Sequence, residues 1–167
     1  VEVDNILTER MRSIELCGGW LAGAPVHAAK LNALKDLVDS ELHPDEPDWP
    51  VIVWASRRVE IAGIALMLAG NPSQVVLERA LECATSRPKE MVQYAESKGV
   101  GIIDGAVSDP ERVRIQAAWK AGKLKYMVAN PSVAGAGLNW QHVRASVYYG
   151  QPGGVIARSQ SEDRVHR

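Results

Sequence analysis

Apolar and polar positions along the chain follow two periods, and the switches between them mark its elements. Ile6, Leu7, Met11, Ile14 and Leu16 fall at roughly helical spacing until Gly18 and Gly19 interrupt it. Pro25 opens an amphipathic pattern running to about Leu42, with Leu31, Leu34, Leu37, Val38 and Leu42 on one face. Residues 43–48 carry two prolines and four polar side chains and read as a loop. The continuous apolar run Val51-Ile52-Val53-Trp54-Ala55 predicts a strand buried on both faces. Ser56-Arg57-Arg58 follows directly, then a helix from about Val59 to Ala69, broken at Gly70-Asn71-Pro72.

Residues 73–98 read as a charged helical insertion interrupted near Ser86-Arg87-Pro88. Gly101-Ile102-Ile103-Asp104-Gly105 predicts a strand ending in a turn. Ser108 or Asp109 caps the next helix, Pro110 occupies its first turn and Gly122 closes it. Lys125-Tyr126-Met127-Val128-Ala129 and Arg144-Ala145-Ser146-Val147-Tyr148-Tyr149 predict two further strands, separated by a loop of small residues from Asn130 to Gly137. Gln151-Pro152-Gly153-Gly154 forms a turn. Ser159 and Glu162 then make a capping-box pattern that predicts a last helix starting at Gln160.

Strands alternating with helices define an α/β chain with a mostly parallel sheet covered on both faces. In such sheets ligands gather beyond the carboxyl ends of the strands. That rule singles out three loops, at Ser56-Arg57, at Asp104-Gly105 and at residues 130–139.

Composition narrows the class. A chain of 167 residues fits one domain with a real core. No apolar run approaches the roughly 20 residues that cross a bilayer, so no membrane role is expected. Val1-Glu2-Val3-Asp4 is polar and resembles no signal peptide; the chain is expected to be a piece of something longer. Cys17 and Cys83 stand in no metal or redox spacing and are read as reduced and structural, which favours a cytoplasmic setting; no metal site is expected. A net charge of −1 gives no overall field for nucleic acid, so any such contact must be local or shared.

Two stretches carry candidate chemistry. On the closing helix Gln160, Arg164 and Arg167 stand four and three residues apart, on one face. Two permanently charged guanidiniums and an amide suit a polyanion, although an Asp163 to Arg167 pair on a solvated helix end uses the same residues. The loop Asn130-Pro131-Ser132-Val133-Ala134-Gly135-Ala136-Gly137-Leu138-Asn139 could bring free N–H groups to a phosphate, or be a plain tight turn. It is neither a dinucleotide fingerprint nor a Gly-Lys-Ser/Thr loop.

In order along the chain, these pieces resemble the second, RecA-like lobe of superfamily 2 helicases. They are a strand before Ser-Arg-Arg, Ile-Asp-Gly before a helix with Arg112 and Trp119, the Ser132-x-Ala134-Gly135-x-Gly137-Leu138-Asn139 loop, and Gln160-x-x-Asp163-Arg164-x-His166-Arg167. The resemblance is to Swi/Snf-type DNA translocases and their phage relatives, and runs from about Cys17 to Arg167; residues 70–98 are the least family-like. The glycine loop has one residue fewer between its glycines than many Swi/Snf members. The Gly-Lys-Thr and Asp-Glu-x-His elements of the family's first lobe do not occur in residues 1–167.

The resemblance implies a three-layer αβα lobe spanning residues 1–167, with the first 20 or so a linker from a first lobe, and a helical insertion. It implies ATP in a cleft between two lobes, with the phosphates and Mg²⁺ held mainly by the other lobe. Arg167 would be the arginine finger, with Arg164 beside it and Gln160 in support. Gly137 and Asn139 would couple nucleotide to lobe movement, and Ser56, Arg57 and Ser132 would touch the backbone of one DNA strand. The partners implied are the N-terminal lobe and DNA. A non-catalytic nucleic-acid or protein binding module with the same fold is the alternative.

Overall fold

The computed structural model describes residues 2–22, 24–42, 50–134, 140, 143–150 and 155–165, without the side chains of 2–7, 155–157 and 164–165. A first helix, α1 (Glu2–Gly18), leads into a small antiparallel ladder of β1 (Trp20–Leu21) and β2 (Ala24–Pro25). Helix α2 (Ala29–Leu37) follows and widens into a π-type turn at Val38–Leu42. Pro25 therefore pairs with Trp20 and does not open the helix as its pattern predicted; the helix waits until Ala29, after the ladder has closed.

The main sheet, among the described residues, has four parallel strands: β3 (Val51–Trp54), β4 (Val100–Ile103), β5 (Tyr126–Ala129) and β6 (Ala145–Tyr148). Their order is β4-β5-β3-β6, with Val53 opposite both Val128 and Val147, and Ile102 opposite Val128. Helices α3 (Arg58–Leu68), α4 (Ser73–Thr85) and α5 (Pro88–Ser97) connect β3 to β4, and α6 (Asp109–Lys120) connects β4 to β5. A four-residue turn of helix, α7 (Pro131–Ala134), follows β5, and α8 (Val155–Val165) follows β6. This is the expected α/β class: a parallel sheet flanked by helices, consistent with a RecA-like lobe.

Burial follows the patterning. Every residue of β3 and β4 is buried, as strands covered on both faces require, whereas β6 at the edge is half-buried throughout. Tyr148, the last residue of that strand, is accordingly only partly covered. The segment read as an insertion breaks at Ser86 and Arg87, as predicted. Its two helices send Val76, Ala80, Cys83, Ala84, Met91, Val92 and Ala95 into the common core. Trp54, Trp119 and Trp140 are all buried. Each such aromatic contributes more, at about 1.5–3 kcal/mol or above, than exposed pairs such as Arg114 with Glu96, which are worth about 1 kcal/mol or less.

The first turn of α6 is built as the sequence indicated. Glu111 accepts the Ser108 N–H at 3.2 Å and its hydroxyl at 2.7 Å. The last helix is not. By Val155 the chain is already helical, so Ser159 lies inside α8 and caps nothing. The anchor that fixes α8 is tertiary: Ser161, fully buried, hydrogen-bonds the Tyr148 hydroxyl, and Arg158 stacks over the Tyr148 ring at 5.0 Å.

Gly63 on α3 lets Trp20 lie flat against the helix: a Cβ there would stand 2.7 Å from Cη2 and 2.9 Å from Cζ2 of that buried ring. Gly63→Ala is expected to destabilise the fold by about 1–3 kcal/mol through overpacking. Urea unfolding of both proteins measures it, and an unchanged midpoint would show that Trp20 can retreat.

Candidate nucleotide and nucleic-acid face

The ladder of the parallel sheet does not stop at the strand ends. Beyond them Tyr149 N–H donates to the Trp54 carbonyl at 2.9 Å, Ala55 N–H to the Ala129 carbonyl at 3.1 Å, and Asn130 N–H to the Ile103 carbonyl at 2.9 Å. The residues entering the loops are thus held in the same order as the strands, and the candidate loops share one edge.

Ser56, Arg57 and Arg58 leave β3 at that edge. Ser56 is exposed. Arg58 is mostly exposed and pairs through Nε with Asp104 at 3.6 Å, which links the β3 loop to the end of β4. Asp104 is buried and also accepts the Ala106 N–H at 2.9 Å, shaping the Asp104-Gly105 turn. Arg57 turns the other way. Its guanidinium lies 3.4 Å from a Glu15 oxygen and donates to the Met11 carbonyl at 3.2 Å, so α1 holds it.

Glu60, in the first turn of α3, is buried and accepts the Arg57 N–H at 3.4 Å. Burial pushes its carboxyl above the usual range, against a smaller opposing pull from Arg57 and backbone N–H groups. It lies against the backbone of Gly18, where a Cβ would meet its Oε1 at 2.6 Å. Tyr149 closes the same corner: its hydroxyl donates to the Gly18 carbonyl at 3.2 Å, and its phenol is pushed up, first by burial and then by Glu60. Sequence reasoning did not find Glu60, Tyr149 or Asp104 as partners; a glutamate inside an otherwise apolar helix start was the available signal.

After β5, Ser132 is exposed on α7 and its N–H donates to Asn130 Oδ1 at 2.9 Å. Asn130 Nδ2 in turn donates to the Ser56 carbonyl at 3.0 Å. The structure therefore joins Ser56 and Ser132 through one carboxamide. Gly137, Asn139 and Arg167 lie outside the described residues, as does the glycine loop at 135–139. That loop ends against the core: Trp140 stacks on Trp54 with ring centres 5.3 Å apart and planes 11° from parallel.

Gln160 is exposed on α8, and position 164 follows one turn later on the same helix face. Arg158 is committed elsewhere, with Nε 2.8 Å from Glu162. Cys17 is exposed and Cys83 buried, and both are free thiols. No helix among the described residues is long and apolar enough to cross a membrane.

Residues 65–167 match the helicase conserved C-terminal domain, and the chain belongs to that family. No curated protein matches the chain. Membership implies, in general terms, ATP use, nucleic acid and a partner N-terminal lobe.

Two outcomes follow from this corner. The folded chain holds the Glu60 proton more tightly than the unfolded chain does. Its contribution to stability therefore falls as pH rises through the interval above the ordinary carboxyl value of about 4.3. Glu60→Gln should flatten that fall, so in thermal melts it gains on wild type as pH rises above the ordinary carboxyl range. Arg57→Ala should speed amide exchange in residues 8–17 by about tenfold while leaving the sheet amides unchanged, because it frees α1 at one end only.

Proposed function

We propose that this chain is the C-terminal lobe of an ATP-dependent DNA helicase or translocase of the Swi/Snf type. It supplies the arginine finger and part of the nucleic-acid track, and is inactive without an N-terminal lobe. The observation that carries the reading is the shared edge. The loop after β3, the loop after β5 and helix α8 bring Ser56, Ser132 and Gln160 to the carboxyl-terminal side of one parallel sheet, within a chain of the helicase C-terminal family.

ATP, bound between the lobes, supplies the phosphoanhydride whose hydrolysis drives movement; the N-terminal lobe holds most of its phosphates and Mg²⁺. Arg167 delivers a guanidinium to the transferring phosphate when the lobes close, Arg164 stands beside it, and Gln160 supports the pair. Gly137 and Asn139 couple the occupied cleft to lobe movement. Ser56 and Ser132 bind the phosphate backbone of one DNA strand without reading its sequence. Arg57 joins them by exchanging the Glu15 carboxylate for a phosphate oxygen, two anions that a guanidinium accepts with the same fork.

In the intact two-lobed protein, Arg167→Ala is expected to lower DNA-stimulated ATP hydrolysis by about a hundredfold or more with DNA binding retained. Hydrolysis at the wild-type rate would remove the finger role and leave a binding module with a helicase fold as the better reading.

A further inference from the structure

Asn130 engages its backbone N–H and carbonyl and both ends of its carboxamide, and between them these reach β4, α7 and the loop after β3. Its N–H is bonded to Ile103 at the end of β4, and its carbonyl accepts Val133 N–H at 3.1 Å and Ala134 N–H at 2.8 Å, which starts α7. The side chain then works in two directions. Oδ1 accepts the Ser132 N–H at 2.9 Å, and Nδ2 donates to the Ser56 carbonyl at 3.0 Å. The first contact is an ordinary turn within the chain's own loop. The second is not: it crosses 74 residues of sequence to a loop on the neighbouring strand.

The span requires a donor and an acceptor a carboxamide apart. Asp in this place keeps the bond from Ser132 and sets a carboxylate oxygen against the Ser56 carbonyl. Ser has one oxygen, too close to its own backbone to reach both. Gln carries the amide one methylene further out, away from its own turn. Asparagine alone among these fits both bonds at the observed distances.

We propose that Asn130 is a positioning residue for nucleic acid: it fixes the spacing of Ser56 and Ser132 so that one phosphodiester backbone meets both hydroxyls together. This rests on the reading that the two serines touch a nucleic-acid strand. Asn130 itself touches no ligand; it acts through the two loops, tying the one after β3 to the one that continues into residues 135–139.

The test is a double-mutant cycle on the intact protein, read as the affinity for a labelled single-stranded oligonucleotide at one fixed salt concentration, with thermal melts in parallel. Ser56→Ala and Ser132→Ala together should weaken binding by about three- to tenfold, the scale of one or two lost hydrogen bonds. Asn130→Ala should weaken it by a similar factor, and adding it to the double serine variant should cost nothing further, since the serines it positions are gone. Asn130→Asp keeps the α7 turn and so guards against a variant that fails to fold. Its loss should be non-additive with Ser56→Ala and additive with Ser132→Ala. A purely structural Asn130 would lower the melting temperature but leave the affinity of the folded protein at wild type, and that result overturns the proposal. If the double serine variant binds like wild type, the nucleic-acid reading of the serines falls, and this proposal with it. If the serines matter but both Asn130 variants bind normally, only the positioning role falls.

Discussion

Trp54 stands where the core of this lobe becomes its working edge. It is the last residue of the most enclosed strand and is itself fully buried, with its ring stacked between Trp140 and Tyr148, the latter at 6.2 Å. Its indole N–H donates to Ser146 on the neighbouring strand at 2.9 Å, so the polar end of the ring is satisfied inside the sheet. Trp140 ends the glycine loop and Tyr148 receives α8. The packed stack therefore ties Trp140 and the last residue of β6 to the end of β3 through an apolar contact.

Beyond that stack, the loops are joined by polar contacts that are few but directed. Asn130 links the β3 and β5 loops, Arg58 links the β3 loop to Asp104 after β4, and Tyr149 links β6 to the end of α1. Arg58 is half exposed and its pair with Asp104 is long, so its energy is small. The Tyr149 bond is buried and so holds position more firmly, and the Asn130 bond, at 3.0 Å, is the more exposed of the two. Glu60 works against this economy: a carboxylate at the buried start of α3 costs stability, offset in part by Arg57 and backbone N–H groups. Strain of that kind is characteristic of places where a chain does more than fold.

The strands and most helices were legible because each has one dominant period. The unbroken apolar run at 51–55 pointed to a strand closed on both faces, and Ser108 or Asp109 followed by Pro110 marked a helix start from sequence alone. The misreadings share a cause. Pro25 and Ser159 each offered a local helix-start signal, and tertiary contacts decided otherwise: Pro25 is taken into a ladder with Trp20, and α8 is positioned by Ser161 against Tyr148. Local signals are weak where a neighbouring element offers a competing contact. Of the candidate loops, the shared edge of those after β3, β4 and β5 was legible, because parallel sheets gather strand ends at one side. The engagement of Arg57 by α1 was not, since nothing in the spacing of Glu15 and Arg57 shows that they meet across 42 positions.

The placement of α8 has a consequence for how a lobe of this kind can act. Its contact with the sheet runs from Ser161 and Arg158 to Tyr148 of β6, and Gln160 is exposed. Those contacts tie α8 to the last residue of β6. The serines at the ends of β3 and β5 are joined through Asn130. Under the proposed function, nucleotide and nucleic acid therefore meet elements tied to one sheet, and the movement between them lies at the cleft with the partner lobe.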